Sequence, residues 1–316
     1  MFIIDVIPAT KIPLIKPQIL TYFTAQKLPL YSLVLVPLYK RKVLAVVVGI
    51  SSLKNQKMAI RKAGFELKNI SKVISQKPVL NQKQISLAKW MSDYYYCPIG
   101  SVIKMILPKI IQKSKVKMQN DNIKFKNIKT TQKLILVPEI HFIQKIAREY
   151  EKKYPSQITI LHSQLTNKQY FENWLKIKNG QDAKRPQAKI IIGTRLTLFA
   201  PFLNLKEIIV EEEHNPNYKS LQTPRFHTRE IALKLASLWL AKIIFKSPTP
   251  SIETYWLAKN KRIQLQHLTS DIRHLTSERG SYFYSMSRLW LCSQMPKLRC
   301  AFSLSFSANQ ALMSSL

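Results

Sequence analysis

Short apolar runs alternate with amphipathic stretches between residues 134 and 269, and this rhythm constrains the fold more than any other feature of the 316-residue chain. The runs LILV (134–137), ITIL (158–161), KIII (189–192) and EIIV (207–210) have the length and branched residues of buried strands. Longer stretches with apolar residues at helical spacing follow LILV, ITIL and EIIV. Alternation of this kind is typical of a parallel sheet with helices on both faces. We therefore predict a parallel α/β lobe over residues 134–269.

The part of the chain before this lobe has a different pattern. Residues 1–77 contain the β-branched runs FIIDVI, SLVLVPLY, KVLAVVVGISS and LKNISKVIS, separated by prolines and polar turns, and they predict a small β-barrel-like or sandwich module. Residues 78–108 form a helical segment in which residues 80–96 predict one helix that ends before a proline. Residues 109–133 hold eight lysines and one acid. We interpret them as a linker, either a solvated connector or a direct DNA contact.

The composition changes again at about residue 270. From there to residue 316 serine becomes frequent, the only lysine is Lys297, and the periodicity is lost. We expect this tail not to extend the sheet. A divergent or disordered tail and a truncated or frameshifted gene product both fit this composition.

The charge of the chain indicates a polyanionic partner. Lysine and arginine number 50 against 17 acids, a formal net charge of +33. An AT-rich gene would raise the glutamate content as well as the lysine content, and glutamate is scarce here. Lysines that neutralise phosphates release counterions, so we expect nucleic-acid binding that weakens as salt rises. A membrane surface and compositional drift are the alternatives.

The positive charge is concentrated towards the N-terminus. Residues 1–133 hold 24 basic and four acidic side chains, so we expect the main nucleic-acid surface there. The longest obvious apolar run has eight residues, too few for a membrane helix, and no secretory signal is evident. Three cysteines without a CxxC pair fit a reducing cytoplasm and indicate no zinc site.

Polar residues follow four of the predicted strands. They include Glu211, Glu212 and His214, then Gly193, Thr194 and Arg195, then Ser247 and Thr249, and finally His162 and Ser163. In an open parallel sheet, ligands bind beyond the carboxyl ends of the strands, so these groups predict a nucleotide or phosphate site. A solvated acidic loop is the alternative. A Glu/His metal site lacks a second ligand cluster, and a catalytic serine lacks its G-x-S-x-G elbow.

Several longer motifs occur in one order along the chain. They are KWMSDYYYCPIGSVIKMILP, LILVPEIHF, ILHSQLT, IIIGTRLTLFAPFLNLKEIIVEEEHNPNYKSLQTPRFHTREIALKLA and KSPTPSIET. Over most of residues 2–269 the chain resembles the PriA family, superfamily 2 DNA helicases that reload the replication machinery at stalled forks. The resemblance implies that residues 134–269 are an incomplete first RecA-like lobe. EEEH stands where the family has D-E-E-H, and SPTPS where it has S-A-T-P.

The resemblance also implies roles for the strand-end residues. Glu211 would lie near Mg²⁺, Glu212 would orient the attacking water, and His214 would couple the site to DNA. ATP and Mg²⁺ are the implied cofactors, and no zinc is expected.

Residues 1–77 resemble the family's module that binds the 3′ end of a nascent DNA strand. The pocket positions fall on Leu20, Thr21, Tyr39 and Lys68, and the basic Lys40, Arg41 and Lys42 lie beside them in sequence. Family members often have an aromatic residue, an acid and a glycine at the first three positions. Thr21 can hydrogen-bond a 3′-hydroxyl, but it lacks the charge of an acid.

One motif of the family has no counterpart here. The P-loop, G-x-x-x-x-G-K-[ST], cradles phosphates, and none of the six glycines of this chain is followed by lysine. The family's second lobe, with its zinc-binding cysteines, would begin about where this sequence ends. Because phosphoryl transfer depends on such electrostatic groups, we do not expect autonomous ATP-driven unwinding.

The sequence therefore predicts a PriA-like protein that binds forked or branched DNA in replication restart. DNA replication, repair and recombination are the implied processes, DNA and other primosome proteins are the implied partners, and no membrane partner is expected. An ATP-dependent 3′→5′ DNA helicase of the PriA family and a general basic nucleic-acid binder remain the alternatives.

Overall fold

The computed structural model describes residues 1–52, 67–112, 131–178, 189–267 and 282–286. The first part contains the strands β1 (Phe2–Pro8), β2 (Leu20–Thr24), β3 (Leu33–Leu38), β4 (Arg41–Ser52) and β5 (Lys72–Ser75). Three helices follow: α1 (Gln82–Tyr94), α2 (Ile99–Ile106) and the short α3 (Lys109–Gln112). The predicted linker at 113–130 lies outside the described residues.

The second part alternates strands and helices. Its strands are β6 (Gln132–Leu136), β7 (Ile158–Leu161), β8 (Ile190–Gly193), β9 (Leu205–Val210), β10 (Lys242–Ser247), β11 (Gln264–His267) and β12 (Tyr282–Met286). Its helices are α4 (His141–Glu151), α5 (Asn167–Lys178), α6 (Thr228–Trp239) and α7 (Ile252–Lys259). Short 3₁₀ segments span Arg195–Phe199 and Pro216–Tyr218. Within the described ranges, no helix is both long and apolar enough to cross a membrane.

The first five strands form one antiparallel sheet in the order β2-β1-β4-β3-β5. Its outer strand β2 also hydrogen-bonds through its backbone to the segment before β5: the Phe23 amide donates to the Lys68 carbonyl at 3.1 Å, and the Ile70 amide donates to the Phe23 carbonyl at 3.3 Å. The predicted β-rich character of this part is confirmed. Strand β2 was not predicted, because it follows a stretch with several prolines.

The later strands form a seven-stranded sheet in the order β11-β12-β10-β9-β6-β8-β7. The five strands from β10 to β7 run parallel, which confirms the prediction from the alternating pattern. Strand β12 pairs antiparallel with both β10 and β11. The expectation that the sheet pattern ends near residue 270 was therefore wrong for 282–286. The aromatic residues there have strand propensity that the serine-rich surroundings masked.

Helix α1 joins the two sheets. One apolar core includes Ile7 of the antiparallel sheet, Leu87 and Met91 of α1, and Ile208 and Phe245 of the parallel sheet. The predicted helix is confirmed, and it begins with a capping box in which Asn81 and Gln84 each accept a hydrogen bond from the other's backbone amide. The two halves of the described chain therefore share one core.

The amide groups of the same two residues reach across to the parallel half. The side-chain amide of Gln84 is buried and donates to the Phe199 carbonyl at 2.9 Å. The Asn81 amide donates to the Phe202 carbonyl at 3.0 Å. Each side chain therefore caps α1 and also fixes its position against the second sheet.

Helix α2 packs directly on the backbone after β1, and Gly100 makes this approach possible. A Cβ atom at residue 100 would lie 2.1 Å from the Thr10 carbonyl oxygen and 2.3 Å from the Pro8 carbonyl oxygen. Both atoms belong to the backbone, so neither can rotate away. Any larger residue at position 100 must push the helix away from β1.

Replacing Gly100 with alanine tests this close packing. In an open helix, the change from glycine to alanine adds about 1 kcal/mol to stability. Here we expect Gly100→Ala to lower the free energy of unfolding by about 1–3 kcal/mol, because the methyl group overpacks the contact. Urea unfolding measures this, with the neighbouring Ser101→Ala as control. A Gly100→Ala protein more stable than wild type would show that α2 does not press on residues 8–10.

Candidate functional site

The carboxyl ends of β9 and β10 bring two of the predicted motifs together. The backbone of the acid run continues the sheet past β9, since the Glu211 amide donates to the Leu136 carbonyl at 2.9 Å. The Glu213 amide donates to the Lys246 carbonyl, also at 2.9 Å. The three acids of 211–213 therefore project from a fixed backbone, and each has different surroundings.

The Glu211 carboxylate is paired with a lysine. Its Oε1 lies 2.7 Å from Nζ of Lys246, and about a fifth of the Glu211 side chain is exposed. Burial raises the pKa of Glu211, and the Lys246 ammonium opposes this shift. The Lys246 ammonium is thus the cation that Glu211 contacts in the structure. The described residues contain no group of three or more His, Cys, Asp or Glu side chains that could hold a metal ion, and Mg²⁺ at Glu211 stays a prediction.

Glu212 lies at the turn of the run. Its backbone has φ of 47°, in the left-handed region that non-glycine residues rarely adopt. Its carbonyl accepts a hydrogen bond from the Asn215 amide at 2.9 Å, which closes the turn. The side chain is half-buried. A role in orienting water stays a prediction.

Glu213 is completely buried and ties three elements together. Its carboxylate accepts hydrogen bonds from Arg229 Nη1 of α6 at 2.9 Å, from the Ser251 amide at 2.7 Å and from the Ser251 hydroxyl at 3.1 Å. Arg229 also contacts Glu253 of α7 at 3.2 Å. A buried carboxylate is tolerated only when paired and hydrogen-bonded in this way. Sequence reasoning missed this role, because Arg229 and Ser251 belong to elements distant in sequence.

His214 contacts the turn after β10. Its Nδ1 lies 2.7 Å from the Ser247 hydroxyl, and this hydroxyl donates to the Thr249 carbonyl at 2.6 Å. The donor in the contact between His214 and Ser247 depends on the tautomer of the imidazole, and the contact joins the two motifs with either one. The sequence-predicted His214, Ser247 and Thr249 are thus brought together.

The Gly193–Arg195 motif meets the same edge through a different set of contacts. A Cβ atom at Gly193 would lie 2.0 Å from the Leu161 carbonyl oxygen, so the glycine serves close packing. Thr194 precedes the 3₁₀ segment and makes no capping hydrogen bond with its side chain. Arg195 donates to the Asn217 carbonyl at 2.9 Å, and the Asn217 amide donates to Glu139 at 2.8 Å.

A second polar site lies on the antiparallel sheet. Thr21 pairs with Asp5 across β1 and β2, and its hydroxyl donates to the Asp5 carboxylate at 2.8 Å. On the other side of β1, Asp5 pairs with Gly49, where a Cβ atom would lie 2.7 Å from an Asp5 carboxylate oxygen. Asp5 and Thr21 are both half-buried. Sequence reasoning missed Asp5, although an acid within an apolar strand is an unusual feature.

The other predicted DNA-binding residues lie around this pair. Leu20 is half-buried at the start of β2, and the exposed Lys68 accepts a backbone hydrogen bond from Phe23 of the same strand. Tyr39 is 77% exposed with φ of 52°, and its hydroxyl contacts Lys16 at 2.9 Å. The exposed residues after it in the β3–β4 turn and the start of β4 are Lys40, Arg41 and Lys42. Strand β2 thus links Leu20, Thr21 and Lys68. Tyr39 contacts Lys16 instead.

The structural role of Glu213 can be tested directly. We expect Glu213→Ala to lower the free energy of unfolding by about 3–5 kcal/mol, because it removes the buried carboxylate that pairs with Arg229 and leaves the Ser251 amide without its acceptor. The matched control Glu212→Ala, at the half-buried turn, should cost less than about 1 kcal/mol. Urea unfolding of both variants measures the difference. Equal losses would contradict the assignment of Glu213 as the structural acid.

Comparison with known proteins shows which family this chain resembles. Residues 9–108 match the family model of the PriA 3′DNA-binding domain (3′BD). The replication restart protein PriA of Buchnera aphidicola (subspecies Acyrthosiphon pisum) is 30% identical over 286 residues, which cover 85% of this chain and 38% of that protein. PriA of Bacillus subtilis is 32% identical over 141 residues, 45% of this chain and 17% of that protein.

A third relative extends the same result. PriA of Rickettsia prowazekii is 26% identical over 258 residues, which cover 66% of this chain and 39% of that protein. The chain thus spans well under half the length of these three relatives. The family model covers β2 to β5 of the antiparallel sheet and α1 and α2, and begins just after β1. The longer alignments extend into the parallel sheet. The chain is a PriA-like protein that carries the 3′DNA-binding domain of that family in residues 9–108.

Proposed function

We propose that this chain binds DNA at stalled or branched replication forks and acts in replication restart, the process that its relatives are named for. The proposal includes a barrel-like closure of the antiparallel sheet, which the hydrogen bonds between Phe23 and residues 68–70 support. It also includes an incomplete RecA-like lobe for the parallel sheet. The net charge of +33 supports a polyanionic partner.

The contact between Asp5 and Thr21 is the observation that carries the proposal. Thr21 occupies the position where the resemblance places an acid, and the structure supplies the carboxylate of Asp5 from the neighbouring strand at 2.8 Å. The Thr21 hydroxyl donates to one lone pair of the Asp5 carboxylate and so orients the carboxylate. The remaining lone pairs can accept a hydrogen bond from a terminal 3′-hydroxyl. Lys68, close to β2, can neutralise a neighbouring phosphate.

We propose that DNA binding here proceeds without autonomous helicase activity. The Glu211 carboxylate is engaged by Lys246, and Glu213 by Arg229 and Ser251, so two of the three acids are committed to protein contacts. Of these three carboxylates, that of Glu212 is the one without such a pairing among the described residues, and it is the one left for Mg²⁺ or ATP to contact.

An ATP-dependent helicase of the PriA family is the second candidate. The contact between His214 and Ser247 favours it, because it connects residues 211–214, which we call the acid box, to the turn after β10, through which a nucleotide site could signal. A partner protein of the primosome would then supply the groups that complete the site. A general basic binder of nucleic acid is a third candidate and rests on charge alone.

A forked DNA with a defined 3′ end tests the proposal. We expect tighter binding to a fork that ends in a 3′-hydroxyl than to one that ends in a 3′-phosphate. A hydrogen bond to a charged group contributes about 1.5–3 kcal/mol, so the ratio of dissociation constants should be about 10 to 100. Fluorescence anisotropy measures the ratio, and Asp5→Asn should bring it close to one.

The ratio separates this proposal from general basic binding. Asp5→Asn removes one negative charge and so raises the non-specific affinity for both forks, but it changes the ratio only if Asp5 contacts the 3′ end. Asp93→Asn, an exposed change of the same charge on α1, is the control and should keep the wild-type ratio. A wild-type protein that binds both ends equally would contradict 3′-end recognition.

A further inference from the structure

A cleft lies between the antiparallel sheet and the helices that follow it. Its volume is about 520 Å³, and one wall is formed by the start of β4, including Lys42. The other wall is formed by Lys104 of α2 and by Lys109 and Gln112 of α3, with Thr10 between the two walls. We call it the lysine cleft, defined by Thr10, Lys42, Lys104, Lys109 and Gln112.

The walls of the lysine cleft are held in place by backbone contacts. The Ala9 amide donates to the Leu44 carbonyl at 2.7 Å, which ties the segment after β1 to β4. Gly100 lets α2 rest on the backbone of residues 8–10. The Gln112 amide lies 2.7 Å from both the Lys104 and the Leu107 carbonyls, and this fixes the turn between α2 and α3. The cleft is thus a built feature rather than a gap between loose segments.

The charge of the cleft is unbalanced. Lys42, Lys104 and Lys109 are exposed, and the residues that line the cleft include no carboxylate. Within the described ranges, none of the three lysines forms an ion pair. Three ammonium groups around one cavity repel each other, and an anion that enters it gains from all three.

The size and surroundings of the cleft identify the anion. A cavity of 300–1,000 Å³ takes a ligand of several tens of atoms, which is larger than one phosphate ion. Residues 113–130, which continue the chain directly after the cleft, hold six lysines and one acid. Their own positive charge disfavours them as occupants. A nucleic-acid backbone brings several phosphates at once and matches both the size and the charge.

The cleft and the Asp5 site lie on the same sheet. Gly49, the partner of Asp5 on β4, is five residues from Leu44 and seven residues from Lys42 of the cleft, which corresponds to about 17–24 Å along a strand. Successive nucleotides rise by about 3.4 Å along one DNA strand, so this distance spans about five to seven nucleotides. We propose that the lysine cleft binds the phosphate backbone of the DNA strand about five to seven nucleotides from its 3′ end, a proposal that rests on the proposed function of the Asp5 site.

The salt dependence of DNA binding tests this proposal. The variant Lys104→Gln/Lys109→Gln changes only the helical wall and leaves Asp5, Thr21 and Lys68 untouched. Each lost phosphate contact reduces the slope of log K against log salt by about 0.7–0.9, so we expect a reduction of about 1.4–1.8 for two. Fluorescence anisotropy with forked DNA measures the slope. The control Lys152→Gln/Lys153→Gln removes the same charge from exposed positions after α4 and should keep the wild-type slope.

Modified DNA locates the contact. Neutral methylphosphonate linkages five to seven nucleotides from the 3′ end should abolish the difference in affinity between wild type and Lys104→Gln/Lys109→Gln. If the cleft takes only free phosphate, the modified linkages will leave this difference as it is with unmodified DNA, which overturns the proposal. The variant Lys104→Arg/Lys109→Arg keeps the charge and should restore the slope. Thermal unfolding checks that each variant is folded. If a double variant does not fold, Lys104→Gln alone replaces it, and we expect half the reduction in the slope.

The outcomes separate the two proposals. One result is that the wild-type protein prefers a 3′-hydroxyl end while the Lys104→Gln/Lys109→Gln variant and the control have equal salt slopes. This result overturns the lysine cleft proposal and leaves the Asp5 proposal intact. A variant with a reduced slope and an unchanged 3′-hydroxyl preference supports the cleft. A wild-type protein that does not bind forked DNA removes the proposed function and the cleft proposal with it.

Discussion

The packing of α1 against both sheets is the constraint on which the other features depend. Leu87 and Met91 lie in the same apolar core as residues of the antiparallel and the parallel sheet. The Gln84 amide is buried within it and satisfied by the Phe199 carbonyl, as a buried polar group requires. Because α2 follows α1 directly and rests on the backbone after β1, the same packing sets the width of the lysine cleft. The Asp5 site and the acid box are therefore parts of one body.

The three consecutive acids of this basic chain have three different environments. Glu213 is a buried tie between the end of β9, helix α6 and the start of α7. Glu211 pairs with Lys246 on the adjacent strand, and Glu212 lies at a left-handed turn. A run of acids at a strand end is thus compatible with a structural role for two of them. The proposed DNA-binding features lie elsewhere, on β1, β2, β4 and the helices after them.

The features that could be predicted from the sequence are those with a local pattern. The alternation of apolar strands and amphipathic helices placed β6 to β10 and α4 to α7, because period and length are visible in single stretches. The rule that strand ends meet at one edge of a parallel sheet predicted the proximity of His214 and Ser247. The fold class followed from the same pattern.

The features that were missed depend on pairing between distant segments. Asp5 reaches Thr21 only because β1 and β2 are antiparallel in one register, and no local pattern specifies that register. Glu213 acquires its role from Arg229 and Ser251, which lie 16 and 38 residues further along the chain. Strand β12 was missed because its composition resembles that of the tail around it. In each case tertiary context decided what local sequence left open.

The central claim is that the DNA-binding part of this chain works without a motor of its own, with the acid box serving as a structural tie. Phosphate release from ATP, measured with and without forked DNA under conditions where the fork is bound, tests it most directly. The predicted result is release at the level of the blank in both cases. DNA-stimulated release that is abolished by Glu212→Gln would contradict the claim and establish the box as catalytic.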